Sequence, residues 1–286
     1  MRALVLGSTG MLGSRVAPQL AGHGIEVTAT SRGSGASDTV TFDAAVDSVD
    51  ELLDQLGPCD YIINAIGVIK SHIQDGISAH EMRALRINAL FPHELALAAE
   101  RTGARVLQIA TDCVYSGAVG GYTESAAHDA LDVYGKTKSL GEVVSPAVMH
   151  LRCSIIGREV ERSTSLVEWV LGQDEGAVIK GYTNHKWNGV TTGVFGQLCA
   201  GIMLKDGFSA GVQHVVPADV LSKHELVTAI ARVGGRRDIV ITPFETPQAI
   251  DRTLNTASEA ANRRLWGDAG FDEIPTVERM VEDLGP

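Results

Sequence analysis

Long apolar runs, clusters of basic residues and closely spaced cysteines are all missing from this 286-residue sequence. No stretch approaches the roughly 18 apolar residues that a membrane helix needs, so we expect no membrane span. The formal net charge is −11, from 35 acidic and 24 basic side chains, and without a basic cluster nucleic acid is a poor partner. The chain opens with a short apolar run and a glycine turn, MRALVLGSTG, so we expect a first strand here and not a signal peptide.

The four cysteines stand far apart and form no C-x-x-C pair. This pattern favours free thiols in a reducing cytoplasm over disulfides or a metal site. Neither His-Glu pair, at 93–94 and 224–225, is followed by the second histidine that a zinc helix requires. We therefore expect a cytoplasmic protein with no metal site.

The first half of the chain alternates strand and helix patterns, which predicts a parallel sheet with right-handed crossovers. The expected strands are residues 2–6, 25–30, 39–42, 61–65, 105–110 and 147–156. The expected helices are residues 11–21, 49–56, 79–101 (interrupted by Pro92) and 133–144. The fold class expected is therefore α/β, with a Rossmann doubly wound parallel sheet.

After Gly157 the regular alternation of strand and helix patterns ends, and shorter elements predict a smaller, discontinuous α/β cap that binds substrate. Expected helices lie at 165–171, 194–204, 223–233 and 277–284, and expected strands at 177–182, 212–216 and 239–241. We assign residues 1–157 to a dinucleotide-binding domain, to which 190–206 return. Residues 158–189 and 207–286 are assigned to the substrate-binding domain.

The strongest local pattern is the G-x-x-G-x-x-G segment at 7–13, which follows the first strand and opens the first helix. The first glycine allows a tight turn, the second lets the backbone approach a pyrophosphate, and the third lets helix pack on strand. Amides at the helix N-terminus then face the phosphates. The pattern predicts dinucleotide binding by Gly7, Thr9, Gly10, Met11, Leu12 and Gly13, with a purely structural turn as the alternative.

The second strand ends at Ser31-Arg32, where an NAD-binding protein usually carries an acidic residue for the ribose 2′-hydroxyl. An arginine there can pair with a 2′-phosphate, so we expect NADP(H) to be preferred, with NAD(H) left open. The alternative is a surface arginine beside a flexible Gly/Ser loop at 33–37. Asp43, after the third strand, is a candidate either for the adenine amino group or for a simple turn.

Tyr134 and Lys138 are spaced i and i+4, so a helix places them on one face. A nearby ammonium favours phenolate and is expected to lower the tyrosine pKa from about 10, which suits acid–base work. Thr111 lies where the fifth strand ends, at the edge where open α/β sheets bind ligands, and its hydroxyl is placed to hold a carbonyl oxygen. Together with the glycine loop these three residues predict a catalytic site.

Seven segments of the sequence resemble one known family, the extended short-chain dehydrogenase/reductases, and within it the dTDP-4-dehydrorhamnose reductase-like sugar-nucleotide proteins. They are GSTGMLGSRV (7–16), INAIGV (63–68), RINALFPHELA (86–96), ATDCVYSG (110–117), YTE (122–124), YGKTKSLGE (134–142) and LRCSIIG (151–157). The resemblance implies hydride transfer between nicotinamide and a nucleotide-linked sugar. It implies Tyr134 as proton donor, Lys138 at the nicotinamide ribose and Thr111 at the carbonyl.

The same resemblance implies that Asn64, Ala65 and Ile66 line the cofactor and that Asn88 braces the central strands. A helix asparagine facing the sheet is the alternative for Asn88. It also places Asp112 and Cys113 on the substrate side. Related 4,6-dehydratases carry Thr-Asp-Glu where this chain has Thr111-Asp112-Cys113, so a dehydratase would lack its base here.

The polar loop at 181–192 is a candidate substrate contact, since Trp187 can stack on a base or sugar and Asn188 can meet hydroxyls. The alternative for Trp187 is packing of the cap on the core. Arg152 is a candidate for a nucleotide diphosphate or for an ordinary ion pair. The G-x-S-x-G match at 207–211 lies between a helix and a strand, the wrong order for a hydrolase nucleophile.

The leading hypothesis is an NADP(H)-dependent oxidoreductase that reduces a keto group of a nucleotide-linked deoxysugar. A sugar-nucleotide epimerase with tightly bound NAD(P) and a non-catalytic, dinucleotide-binding regulatory subunit are the alternatives. A homodimer is left open by analogy, because relatives often dimerise through helices that flank the Y-x-x-x-K segment.

Overall fold

Seven parallel strands form one sheet in the order β11-β6-β5-β4-β1-β2-β3. They are β1 (Arg2–Leu6), β2 (Glu26–Ser31), β3 (Val40–Thr41), β4 (Tyr61–Asn64), β5 (Arg105–Thr111), β6 (Val148–Cys153) and β11 (Gly211–His214). The computed structural model of the protein describes residues 1–33, 39–159 and 164–285. The predicted α/β class with a parallel Rossmann sheet is confirmed.

Ten α-helices, in the described part of the chain, surround the sheets. They are α1 (Gly13–Gly22), α2 (Val49–Leu56), α3 (Ser78–Ala84), α4 (Phe91–Thr102), α5 (Val133–Leu140), α6 (Leu166–Leu171), α7 (Thr192–Leu204), α8 (Lys223–Val233), α9 (Glu259–Asp268) and α10 (Val277–Glu282). None of the described helices is both long and apolar enough to cross a membrane.

The central strands β1 and β4 are buried almost throughout, which is why they are nearly continuous apolar runs. Alternate side chains of β1 enter two different clusters: Ala3 and Val5 face α1 and α7, whereas Leu4 and Leu6 face α2 and α4. The side-chain period of two in a strand produces this division.

Three small sheets lie in the second half of the chain. Their strands are β7 (Ile155–Ile156), β8 (Val178–Tyr182), β9 (His185–Trp187), β10 (Val190–Thr191), β12 (Leu221–Ser222), β13 (Val240–Phe244) and β14 (Ile250–Asp251). The sheets are β10-β7, β12-β9-β14 and β13-β8. The predicted strand at 147–156 is divided at Ser154, where β6 leaves the large sheet and β7 joins a small one.

Strand β11 lies within residues 207–286, which the sequence analysis assigned to the second domain. Gly211–His214 pair in parallel with Met149–Arg152 at the edge of the large sheet. Helix α7, within the segment 190–206 that is predicted to return to the first domain, packs against α1. Helix α9 was missed because it is mostly polar, with Asn262, Leu265 and Trp266 buried.

The helix predicted at 79–101 is interrupted before Pro92 by a wider helical turn, and the chain stays helical on both sides. A π-helical segment, Leu85–Leu90, joins α3 to α4, and Pro92 lies in the first turn of α4. Proline has no N–H to give to the carbonyl of Asn88, four residues earlier. That carbonyl faces Gly141, directly after α5, so closely that a Cβ on Gly141 would lie 2.0 Å from the oxygen.

We expect Gly141→Ala to lower the free energy of unfolding by about 2 kcal/mol, because the added methyl has to displace backbone. The change is measured by urea denaturation. Gly22→Ala is the control, since a Cβ on Gly22 would meet nothing within 4 Å and the residue ends an exposed turn of α1. Equal stability of the two variants would contradict the close approach at Asn88.

Candidate active site

A cavity of about 540 Å³ opens at the carboxyl ends of β1, β4 and β5. Fourteen of the residues predicted from the sequence line it. They are Gly7, Thr9, Gly10, Met11, Leu12, Arg32, Asp43, Ala65, Ile66, Thr111, Asp112, Cys113, Tyr134 and Lys138. The structure therefore brings the glycine loop and the Y-x-x-x-K helix to one space, although about 120 residues separate them in sequence.

The glycine loop has the shape that a pyrophosphate requires. Gly7 has a φ of +81°, and a Cβ on Gly13 would lie 2.3 Å from the Gly7 carbonyl oxygen, so both positions need glycine. A Cβ on Gly10 would meet only that oxygen, at 3.5 Å. Within the described residues, the amides of Met11 and Leu12 donate to no backbone carbonyl. These amides at the start of α1 fit an anionic group.

Three residues predicted for the adenosine end lie in different settings. Arg32 is exposed and lines the cavity. Ser31 is buried, and its hydroxyl donates to the carbonyl of Gly33 (2.9 Å). Asp43 lines the cavity, but its Oδ1 accepts from the amide of Ala45 (2.9 Å), as a turn residue does. Most of the loop predicted at 33–37 lies outside the described residues.

Asp132 caps the N-terminus of α5: its side chain accepts a hydrogen bond from the amide of Gly135 (3.0 Å) and pairs with Lys70 (2.8 Å). A Cβ on Gly135 would lie 2.4 Å from the carbonyl oxygen of Cys113, so α5 approaches the end of β5 closely. This approach places Tyr134 beside Thr111, whose hydrogen bonding acts on the tyrosine.

Lys138 is buried one turn further along α5, and its Nζ donates to the carbonyl of Ile109 (3.0 Å). Burial lowers the pKa of Lys138 to about 8, so its ammonium form dominates at neutral pH. Thr111 Oγ1 accepts from the amide of Cys113 (3.1 Å) and lies 3.2 Å from Oδ1 of Asp112.

The expectation that Lys138 lowers the pKa of Tyr134 is not met. Burial is the largest effect on Tyr134 and raises its pKa, Cys113 acts in the same direction, and the hydrogen bond with Thr111 opposes them. The reason is that a phenolate at this position would lose more hydration than its neighbours return. Tyr134 is therefore a protonated phenol at neutral pH.

Asn64 and Asn88 hold the backbone of Ile66 and Val68, which line the cavity. Asn64 accepts from the amide of Ile66 (3.1 Å) and donates to Gln108 (2.8 Å). Asn88 bonds both the amide and the carbonyl of Val68, at 2.8 and 2.9 Å. Asn88 thus braces the loop after β4, whereas the sequence resemblance implied that it braces the strands.

The structure does not bring Arg152, Trp187 or Asn188 to the cavity wall. The guanidinium of Arg152 is buried against Glu142, the indole of Trp187 donates to Ser154 Oγ (2.7 Å), and Asn188 Nδ2 donates to the carbonyl of Leu254 (2.7 Å). Each side chain is satisfied by protein groups, which is the placement that the packing alternative for Trp187 and the ion-pair alternative for Arg152 describe. The assignment of the three residues to substrate stays a prediction that this placement does not favour.

Sequence reasoning missed two cations that act on Asp112 at the cavity, Arg252 and Lys223. Burial raises the pKa of the Asp112 carboxyl, and the charges of Arg252 and Lys223 oppose that rise. Lys223 also lines a second cavity of about 210 Å³, which shares Leu166 with the first. No motif marks these two residues, because they come from the half of the chain where the resemblance is only architectural.

The similarity of this sequence to known protein sequences covers about half of the chain. The family model described as the RmlD substrate binding domain matches residues 1–160. The dTDP-4-dehydrorhamnose reductase of Mycobacterium tuberculosis is 29% identical over 147 residues, which are 49% of this chain and 44% of that protein. The same-named protein of Streptomyces griseus is 34% identical over 142 residues, 49% of this chain and 43% of that protein. The matched stretch thus spans less than half the length of these relatives.

Solved structures resemble the whole chain. The dTDP-4-dehydrorhamnose reductase of Bacillus anthracis, in complex with NADP, has a TM-score of 0.78 and 19% identity and covers 99% of this chain and 98% of its own. The UDP-glucuronic acid 4-epimerase of Bacillus cereus has a TM-score of 0.75 with 14% identity and the same coverage. At these identities the likeness concerns the fold. Because the family model covers more than half of the sequence, the chain belongs to the family of the RmlD substrate binding domain.

Proposed function

We propose that this chain is an NADP(H)-dependent oxidoreductase that reduces a keto group of a nucleotide-linked deoxysugar. The observation that carries the proposal is the single cavity in which the glycine loop meets Thr111, Tyr134 and Lys138. Two solved relatives of the same fold support a dinucleotide in such a cavity, one described in complex with NADP and one with NAD.

In this proposal the amides of Met11 and Leu12 hold the pyrophosphate and Arg32 holds the 2′-phosphate. The nicotinamide, when bound, supplies the hydride. Tyr134 donates its phenolic proton to the developing alkoxide, and its raised pKa keeps that proton in place until it is needed. Once the proton has left, the Lys138 ammonium one turn along α5 offsets part of the hydration that the new phenolate lacks, although burial outweighs this effect in the resting site. The Thr111 hydroxyl holds the carbonyl oxygen.

The substrate class rests on the relatives named dTDP-4-dehydrorhamnose reductase and on the side chains beside Tyr134. A dehydratase needs a second carboxylate where Cys113 stands, and the pKa of the Cys113 thiol is raised to about 12 by burial. The thiol is therefore neutral at physiological pH and supplies no base. Reduction without elimination is the reaction that these groups support.

Tyr134→Phe is expected to lower kcat for reduction of dTDP-4-dehydrorhamnose by NADPH on the order of a hundredfold or more, because no proton donor remains. The Kd for NADPH, from fluorescence titration, is expected to be unchanged. Tyr61→Phe is the control, since the Tyr61 hydroxyl bonds Arg105 at the opposite end of β4. Near-normal turnover by Tyr134→Phe would refute the assigned role.

Arg32→Ala is expected to raise the Kd for NADPH on the order of tenfold and to leave the Kd for NADH unchanged, because a charge-assisted contact to the 2′-phosphate is lost. Arg264→Ala, on the exposed face of α9, is the matched control. Two results together would favour the epimerase: release of NAD from the denatured wild-type protein, and an equal rise of the Kd for NADPH and of the Kd for NADH in Arg32→Ala.

We also propose that the chain forms a homodimer through an apolar surface of α4 and the end of α5. Leu97 and Leu140 are 68% and 59% exposed, and His93 Nε2 lies 2.9 Å from the carbonyl of Leu140, so the two helices present one surface. Val144 extends it and is fully exposed. Large exposed apolar side chains grouped in this way favour association.

Leu97→Glu is expected to shift the sedimentation profile at micromolar concentration from dimer to monomer, because association would bury the new carboxylate. Val119→Glu is the control, since Val119 is 80% exposed on a different loop. A wild-type chain that sediments as a monomer would remove this part of the proposal and leave the oxidoreductase intact.

A further inference from the structure

A buried polar cluster lies behind the cavity, centred on the guanidinium of Arg152, which is 1% exposed. Its Nε donates to Glu142 Oε1 (2.9 Å), and Nη2 makes a second contact to the same carboxylate. Nη1 donates to the hydroxyl of Tyr115 (2.7 Å). The fork-to-fork pairing fixes the position of the Glu142 carboxylate more firmly than a single contact would.

Two histidines complete the cluster, and the geometry sets their protonation. Arg152 also donates to Nε2 of His214 (2.7 Å) and of His128 (3.0 Å). A guanidinium offers only donors, so each Nε2 must accept and each Nδ1 must carry the hydrogen. Those hydrogens go to the carbonyl of Asn255 (2.7 Å) and to Ser139 Oγ (2.7 Å). Both histidines are therefore neutral, and Arg152 is the cation of the cluster.

Glu142 connects this cluster to the candidate active site. It follows Lys138 by four residues, just beyond the end of α5, and its side chain is 7% exposed. The preceding residue, Gly141, is wedged against the Asn88 carbonyl, which fixes where the chain leaves α5. A fixed carboxylate one turn from a buried ammonium offsets part of the hydration that the ammonium has lost.

We propose that Glu142 is a positioning residue for the oxidoreductase: Arg152 fixes its buried carboxylate four residues beyond Lys138, where its negative charge keeps the Lys138 side chain an ammonium. The catalytic consequence rests on the proposed function, whereas the electrostatic coupling does not. The charge of Glu142 raises the pKa of Lys138 against the effect of burial. Without that charge a larger share of Lys138 would be neutral at physiological pH, and less ammonium would stand one helical turn from Tyr134.

Other titratable groups face the same pair from neighbouring elements. Lys138 is faced by Tyr134 on its own helix and by His150 and Cys153 on β6. Glu142 is faced by Tyr115, His128, His150, Arg152 and His214. The pKa of each of the three histidines is lowered by burial, and that of Cys153 is raised by burial. At neutral pH these four are uncharged, so Glu142 is the anion among the groups facing Lys138.

The test is an NMR titration of the full chain labelled with lysine carrying ¹³C at Cε, in which Lys138→Arg assigns the Lys138 resonance. In Glu142→Gln the pKa of Lys138 is expected to fall by about one unit, because the opposite charge is removed while the shape is kept. Glu142→Asp keeps the charge but withdraws it by one methylene, so a smaller fall is expected. If Glu142→Gln fails to fold because Arg152 is left unpaired, Glu142→Asp provides the test.

Glu278→Gln is the matched control, since Glu278 pairs with Arg232 at the surface (2.7 Å). In this variant the pKa of Lys138 is expected to stay at its wild-type value. An unchanged Lys138 pKa in the Glu142 variants overturns the proposal. In turnover assays the alkaline limb of kcat should move to lower pH in Glu142→Gln by the same amount. A shifted Lys138 pKa in a protein that reduces no keto sugar supports the coupling and refutes only the proposed function.

Discussion

The parallel direction of the seven strands is the constraint on which the candidate site depends. When neighbouring strands run the same way, the residues that follow each of them meet at one edge. Leu6 pairs with Asn64 and Asn64 pairs with Gln108, so the segments after β1 and β4 and the end of β5 lie side by side. Helix α5 then needs only one close contact, at Gly135, to bring Tyr134 to the same place.

Local signals predicted the first half of the chain well because they act over short distances. The glycine spacing determines a turn, the Tyr134–Lys138 spacing determines one helix face, and apolar runs identify doubly buried strands. The predicted bounds of α2 and α8 agree with the structure residue for residue. The residues assigned to the cofactor by the glycine pattern line the cavity, apart from Gly13, which packs beneath it.

The second half was harder to predict because its contacts are long-range and its strands short. Arg152 illustrates the difficulty: a buried arginine and a phosphate-binding arginine look the same in sequence, and only the positions of Glu142 and His214 distinguish them. The prediction of a lowered pKa for Tyr134 failed for a related reason. A helix spacing shows which charge is near, but burial depends on the segments that close over the residue, and here burial outweighs the charge.

The buried lysine has a consequence for the folding equilibrium of the whole chain. In the unfolded chain Lys138 keeps an ordinary pKa of 10.5, whereas in the folded protein its pKa is about 8. Between these values the unfolded state binds more protons, so the contribution of Lys138 to stability becomes more favourable as pH rises through that window. Below it the ammonium is present in both states and its lost hydration weighs fully against the native fold. The side chain that we propose assists catalysis at neutral pH therefore lowers the stability of the native state under the same conditions.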